Sequence, residues 1–290
     1  MTTNFKFMKY GRLSYLVAAA LVAASLVSFI TRGMNYGIDF TGGIMMEVAP
    51  KSGEVQIDKM RAELAAFKPE LQRVSGGDSV MIKVGLEKLA TDASQNRMVS
   101  EIKGVLGDKY EYRQTQIVGP RIGAELITAG LMAILFSFVG MSIYIWIRYS
   151  GGYAVGAFVS LVVDFLIMFG FFSVMGLEFN QTAIAVILLA MGYSINDKVV
   201  NYDRIDENAL KYRKMPTGEL IDLSVNEMLS RTIMTSVSTM LAMAALAVWG
   251  GDVLREFAYA MMFGIVLGTA TSIWMSNALL KNFDIRKQIV

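Results

Sequence analysis

The chain has 290 residues, 54% of them hydrophobic and only 18% charged, with a mean hydropathy of +0.46 and a formal net charge of +2. A soluble domain has nearer a quarter of its residues charged, and here the apolar residues gather into long runs; the composition therefore points to an integral membrane protein, and the small net charge gives no case for binding nucleic acid. With no cysteine and no histidine, disulfides, thiolate chemistry and imidazole proton carriage are excluded, no metal or cofactor site is expected, and without a GxxxxGK[ST] loop the chain has no ATP site of that kind.

Lys6, Lys9 and Arg12 precede an apolar run of about eighteen residues, Leu13–Ile30. It has two readings, a cleaved secretory signal or an uncleaved span. Its length and the lack of a clear small-x-small cleavage site favour the span. Residues 32–123 differ in kind, being polar, mixed in charge and without a run long enough to cross a bilayer. Ile44–Ala49 is expected as a strand. Over Glu54–Phe67 the residues Val55, Met60, Leu64 and Phe67 share a helical face. Glu70–Ser75 and Ser79–Gly85 read as strands joined at a Gly76-Gly77-Asp78 turn. Ser94–Leu106 reads as a second helix and Tyr110–Val118 as a last strand, with Tyr110, Tyr112, Gln114 and Gln116 alternating along one face. The order βαββαβ is a ferredoxin-like pattern.

Five further apolar segments follow, at about 124–147, 152–175, 182–200, 232–249 and 257–280. The fold class is therefore an α-helical bundle of six transmembrane helices plus a small α+β domain. Basic residues fall on one side of the spans. Lys6, Lys9 and Arg12 precede the first, Arg148 lies between the second and third, and Lys198, Arg204, Lys211, Arg213 and Lys214 lie between the fourth and fifth. Lys281, Arg286 and Lys287 follow the sixth. The positive-inside rule places both termini and the 281–290 tail in the cytoplasm and the 32–123 domain on the outer face. Gly152 with Gly156, and Gly264 with Gly268, have the spacing of close helix packing, and the 21 methionines read as gap-fillers.

Charges inside apolar segments are the candidates for function. A charged side chain at the centre of a membrane helix costs roughly 2.5–3.5 kcal/mol on insertion scales. Asp164 falls near mid-membrane in the third span. Asn196 and Asp197 sit at the seam where the fourth apolar run turns charged, which places Asp197 in the cytoplasmic third. Arg231 opens the fifth span at a similar depth, which allows an Asp197–Arg231 pair without showing that the two helices touch. One reading is a buried ion pair or hydrogen-bonded aspartate that fixes helix register. The other is an ion relay, a carboxylate that changes charge beside a fixed cation and that a membrane potential can bias, at about 2.3 kcal/mol per charge per 100 mV. Lys198, adjacent to Asp197, is expected to point about 100° away and snorkel to the surface. Asp203, Arg204, Asp206 and Glu207 read as a solvated helix end. An intramembrane aspartyl protease is disfavoured because no GxGD element partners the Tyr202-Asp203 dipeptide, and no enzyme activity is expected.

Three segments together resemble a known family. GIDFTGG (Gly37–Gly43) follows the first span, GYSINDKVVNYDRIDEN (Gly192–Asn208) closes the fourth, and LSRTIMTS (Leu229–Ser236) opens the fifth, which Gly250-Gly251 closes. This is the pattern of the SecF family of bacterial protein export, related to RND-type transporters. The resemblance covers roughly Gly33 to Leu280. It implies half of a twelve-span assembly completed by SecD, associated with the SecYEG channel and acting on an unfolded preprotein in the lipid of the inner membrane. The energy source it implies is the proton gradient, or sodium in some bacteria. The family's relay residues carry over to Asp197 and Arg231, with Asp164 matching an aspartate of the preceding span, and Gly37, Asp39, Gly42, Gly43, Asp203 and Arg204 fall in its motifs. Lys198, Asn201 and Asp206 depart from the pattern. Two other functions compete with this one: an assembly factor of the translocase without ion coupling, and half of a small-molecule exporter, which would want a larger outer domain.

Overall fold

The computed structural model describes residues 4–53, 55–74, 78–85, 92–149 and 151–283. Of the sequence expectations, Glu54, Ser75, the Gly76-Gly77 turn, and Arg286 and Lys287 lie outside the described residues. The chain runs α1 (Gly11–Arg32), a single turn α2 (Ile38–Thr41), β1 (Gly43–Pro50), α3 (Ile57–Glu63), β2 (Glu70–Arg73), β3 (Val80–Gly85), α4 (Asp92–Leu106) and β4 (Tyr110–Val118). Then come α5 (Pro120–Arg148), α6 (Gly151–Met175), α7 (Gln181–Lys211), α8 (Thr217–Trp249) and α9 (Gly251–Ala270), which passes through a π-helical turn at Thr271–Ser276 into α10 (Asn277–Leu280). Among the described residues, six helical spans are long and apolar enough to cross a membrane, in line with the hydropathy pattern.

The four strands form one antiparallel sheet in the order β2-β3-β1-β4, the ferredoxin-like arrangement expected from βαββαβ. Period-two alternation puts Ile44, Met46 and Val48 of β1 and Val80, Ile82 and Val84 of β3 on one face. There they bury against Met60 and Leu64 from the α3 region and Ile102 and Leu106 from α4. Each such side chain stabilises the fold by about 1.5–3 kcal/mol. The alternation expected along β4 is broken. A bulge between Glu47 and Val48 of β1 shifts its register, so that Tyr112 pairs with Val48 but Gln114 with Glu47. Tyr110 and Tyr112 therefore lean on the domain core, while Gln114 and Gln116 open onto the other face of the sheet. An extra residue in one partner turns the strand over at that point.

In the bundle, small residues set the closest approaches. A Cβ on Gly264 would lie 2.6 Å from Ala190 Cβ, and one on Gly268 2.8 Å from Ser194 Cβ, so α7 and α9 touch backbone to backbone as the Gly-x-x-x-Gly spacing predicts. Gly156 faces the Tyr202 hydroxyl and the Ser276 carbonyl in the same way. Gly170 against Ser25, where a Cβ would be 2.1 Å from the serine, closes α1 onto α6 without any paired-glycine signal.

Two helices outrun their apolar segments. The fourth and fifth apolar runs stop at Val200 and start at Thr232, but α7 continues to Lys211 and α8 already begins at Thr217. At 31 and 33 residues and about 1.5 Å per residue, both are longer than the ~30 Å hydrocarbon layer. Their overhanging ends hold each other through polar contacts that apolar periodicity does not reveal. Arg204 Nε donates to Glu227 Oε2 (2.6 Å), and the buried Asn208 Nδ2 donates to Glu227 (2.7 Å) and Ser224 (2.9 Å). The N-terminus is clasped there too, with the Phe5 and Met8 amides donating to Asn226 Oδ1 and Asp222 Oδ1. The expected solvated helix end is thus a packed helical hairpin, and Arg204 is only partly exposed.

Candidate ion-relay site

Asp164 lies on the inward face of α6 and is 2% exposed. Its Oδ2 accepts hydrogen bonds from Ser194 Oγ (2.7 Å) and Lys198 Nζ (2.9 Å). Ser194 and Lys198 are one turn apart on α7 and bond to each other as well, so α7 presents a hydroxyl and an ammonium to a single carboxylate. Lys198 is fully buried, which corrects the expectation that it reaches the surface. It does turn away from Asp197, but the face about 100° round the helix is packed against α6 rather than open to water. A buried ammonium without a carboxylate would cost several kcal/mol, and Asp164 supplies one.

Asp197 sits on another face of α7 and is 3% exposed. Among the described residues no cation pairs with it directly. Thr269 Oγ1 of α9 donates to its Oδ2 at 3.3 Å and is in turn hydrogen-bonded to Ser236 Oγ of α8 at 2.9 Å. Lys198 and Arg231 lie within electrostatic reach, yet among the described residues no carboxylate comes within ion-pair distance of Arg231. In place of the Asp197–Arg231 pair that similar depth allowed, the structure has a weakly bonded carboxylate and an exposed guanidinium. Ser194 and Lys198 flank Asp197 on α7 and both reach Asp164, so the two carboxylates lie at one level along the bundle.

Asn196, a candidate at the seam, is exposed on the outer side of α7 and does not join the cluster. Asn201 does join it. Buried at 1% exposure, its Nδ2 donates to the Ser272 carbonyl at 3.5 Å. That carbonyl lies in the π-helical turn, where Asn277 Nδ2 also reaches it at 2.8 Å and the Ser272 hydroxyl returns a bond to the Ser194 carbonyl at 3.2 Å. The wide turn frees carbonyls from the α-helical ladder, and amides from α7 and α10 satisfy them. Ser194, Thr269, Ser272, Ser276 and Asn277 join the site without being among its expected residues. Their signal was present as polar residues inside the fourth and sixth apolar runs.

The remaining motif residues act elsewhere. The Gly37 amide donates to the Phe179 carbonyl at 2.9 Å, and a Cβ on Gly37 would meet Glu178. Asp39 Oδ2 accepts from the Gln181 amide at 3.3 Å, at the first residue of α7, where a carboxylate complements the helix dipole. Gly42 has φ +76°, a backbone that side chains disfavour, and a Cβ on Gly43 would press on Ile38 and the Val84 carbonyl. With the Lys83–Glu178 ion pair, the motif fastens the sheet to the α6–α7 loop, beneath a cleft of about 460 Å³ lined by Met45, Gln72, Lys83, Gln116 and Glu178. Asp203 accepts from Arg148 (2.7 Å) and from the Tyr149 hydroxyl (2.8 Å) at the opposite end of the bundle. Burial first, then the Asp203 carboxylate, push the Tyr149 phenol well above its ordinary value of 10.0, so it remains a donor throughout the neutral range.

A family model described as the C-terminal part of the protein export membrane proteins SecD/SecF matches residues 98–286, and one for the SecD/SecF GG motif matches residues 27–53. Protein translocase subunit SecF of Rickettsia rickettsii is 40% identical over 302 residues, covering 98% of this chain and 93% of the relative. The chain belongs to the SecF branch of the SecD/SecF family. The SecF of Rickettsia bellii is likewise 40% identical, over 98% of this chain and 95% of its own length. Among solved structures, SecDF of Thermus thermophilus, described as a translocon-associated membrane protein, superposes with a TM-score of 0.82 at 32% identity. The match covers 96% of this chain and 38% of that one, so this chain spans well under half of the SecDF polypeptide. A SecDF structure in its super-membrane-facing form gives a TM-score of 0.73, also at 32% identity. The GG-motif model spans the latch between sheet and bundle, and the larger model contains both buried aspartates.

Proposed function

We propose that this chain is the SecF half of an ion-coupled protein-export machine whose other half is SecD. In this reading it works beside the SecYEG channel in the bacterial inner membrane, with both termini in the cytoplasm and the sheet domain outside. Ion entry at Asp197 drives movement of that domain during the late steps of preprotein translocation, and the proton gradient is its source.

The carrying observation is the contrast at mid-bundle between a buried carboxylate without a fixed cation, Asp197, and an arginine without a carboxylate, Arg231. Arg231, Thr235 and Ser238 are exposed on one face of α8, at the spacing of a single helical stripe. A guanidinium on that face costs several kcal/mol against lipid and far less against a polar partner. The stripe is therefore read as the seam with SecD. Arg231 holds its charge at all cellular pH values, while Asp197 gains or loses one, and a potential of 100 mV biases that change by about 2.3 kcal/mol.

The test is secretion by inverted vesicles or proteoliposomes carrying Asp197→Asn or Arg231→Met. Both are expected to abolish the gradient-dependent stimulation while the variants still co-purify with SecD. Normal stimulation in both would overturn the relay. Loss of SecD in the pull-down would instead favour the assembly role.

A further inference from the structure

The relay as proposed makes no use of the most enclosed charge among the described residues. Lys198 is 0% exposed, deep in a bundle where a simpler residue would pack at lower cost. Its ammonium has three donors. One reaches Asp164 Oδ2 at 2.9 Å and one reaches Ser194 Oγ. The pocket has more oxygen than that. Asp164 Oδ1 is buried and has no hydrogen-bond partner. A carboxylate with a spare oxygen and a serine hydroxyl on the facing helix make a dry, anionic cradle. The ammonium neutralises it without saturating it.

Oxygen cradles of this kind suit small alkali cations, whose hydration shell the oxygens replace. We propose that Lys198 is a tethered cation filling such a pocket: its ammonium stands where a sodium or lithium ion would be held by Asp164 and Ser194. A cation attached to the chain acts at a high effective concentration and does not exchange with the medium. The α6–α7 interface is thereby closed to sodium, and Asp197 is left as the buried carboxylate of the cluster that can exchange an ion. The physiological meaning rests on the ion-coupled reading above. The pocket does not, because its occupancy is measured without a gradient or a partner.

The experiment is thermal unfolding of the full-length chain in detergent, in sodium, lithium or choline chloride at equal ionic strength. The wild-type midpoint is expected to be the same in all three salts. Lys198→Ala is expected to rise in sodium or lithium by about 2–4 °C, saturably, once the cation is roughly tenfold above its dissociation constant. The gain is expected to vanish in Asp164→Asn/Lys198→Ala. If Lys198→Ala does not accumulate without sodium, solubilisation in sodium is expected to recover it. A folded Lys198→Ala with no alkali-specific shift overturns the proposal. So does a failure of sodium to recover it while the uncharged Asp164→Asn/Lys198→Met pair folds. A wild-type chain that itself shifts with sodium also overturns it. Loss of secretion in Asp197→Asn tests the relay separately, and neither result determines the other.

Discussion

The two buried aspartates of the bundle lie at one level and lead different lives. Asp164 is held by an ammonium and a hydroxyl at 2.9 and 2.7 Å. Asp197 is held by one threonine at 3.3 Å. Both are almost fully buried, so burial alone does not distinguish them. Their partners do. A carboxylate with a permanent cation is a clamp between helices; a carboxylate with only a hydroxyl is a charge the protein can afford to change. Burial marks both as costly, and the groups bonded directly to each carboxylate assign the work.

Substitutions at each aspartate's surroundings sharpen or break that contrast. The largest effect is expected at the clamp. In sodium-free buffer Lys198→Ala leaves Asp164 buried and unpaired, and stability should fall by about 3–5 kcal/mol, read as a large drop in the unfolding midpoint. Next is Gly268→Val, whose added carbons would run into Ser194. It should cost about 1–3 kcal/mol and, by moving α9 off α7, should lower secretion through Thr269 as well. Asp197→Asn, by contrast, should cost no more than about 1.5 kcal/mol, since it gives up one long hydrogen bond. A loss as large as that of Lys198→Ala would show the two sites to be equivalent clamps. The smallest effect belongs to the half-exposed Arg148–Asp203 pair, where Arg148→Ala should change stability by about 0–1 kcal/mol.

Tyr149, against the same Asp203, gives the pH control. Its phenol is raised, so its contribution is complete below the ordinary value of 10.0 and is lost only as pH climbs through the higher folded value. Melting curves should therefore show no Tyr149-dependent change between pH 6 and 9, roughly, when Tyr149→Phe is compared with wild type.

Much of this architecture was legible in the residues. β1, β3 and β4 fall within two residues of their expected ends, because alternation and flanking glycines are local signals. The paired glycines of span six touch α7 as their spacing predicts. What was misread depended on neighbours. The 100° rotation of Lys198 from Asp197 was right, but a helix does not say which of its faces another helix covers. The packing of the polar helix ends was not legible, because Arg204, Asn208 and Glu227, which hold α7 against α8, carry no apolar periodicity. The bulge at Glu47 and the π-helical turn at Thr271–Ser276 each insert a register change that no periodicity announces.

That turn has a consequence for phase. One extra residue in a helical turn rotates everything after it by about 100°. Ser276 and Asn277, which follow or close the turn, meet Tyr202 and the Ser272 carbonyl because of that offset. Deleting a single residue from Thr271–Ser276 would restore an ordinary α-helix and swing both side chains off their partners, with no change to the composition of the span. The sixth span thus works like a screw with one widened thread, and the polar seam along α7 stays in mesh only while that thread is kept.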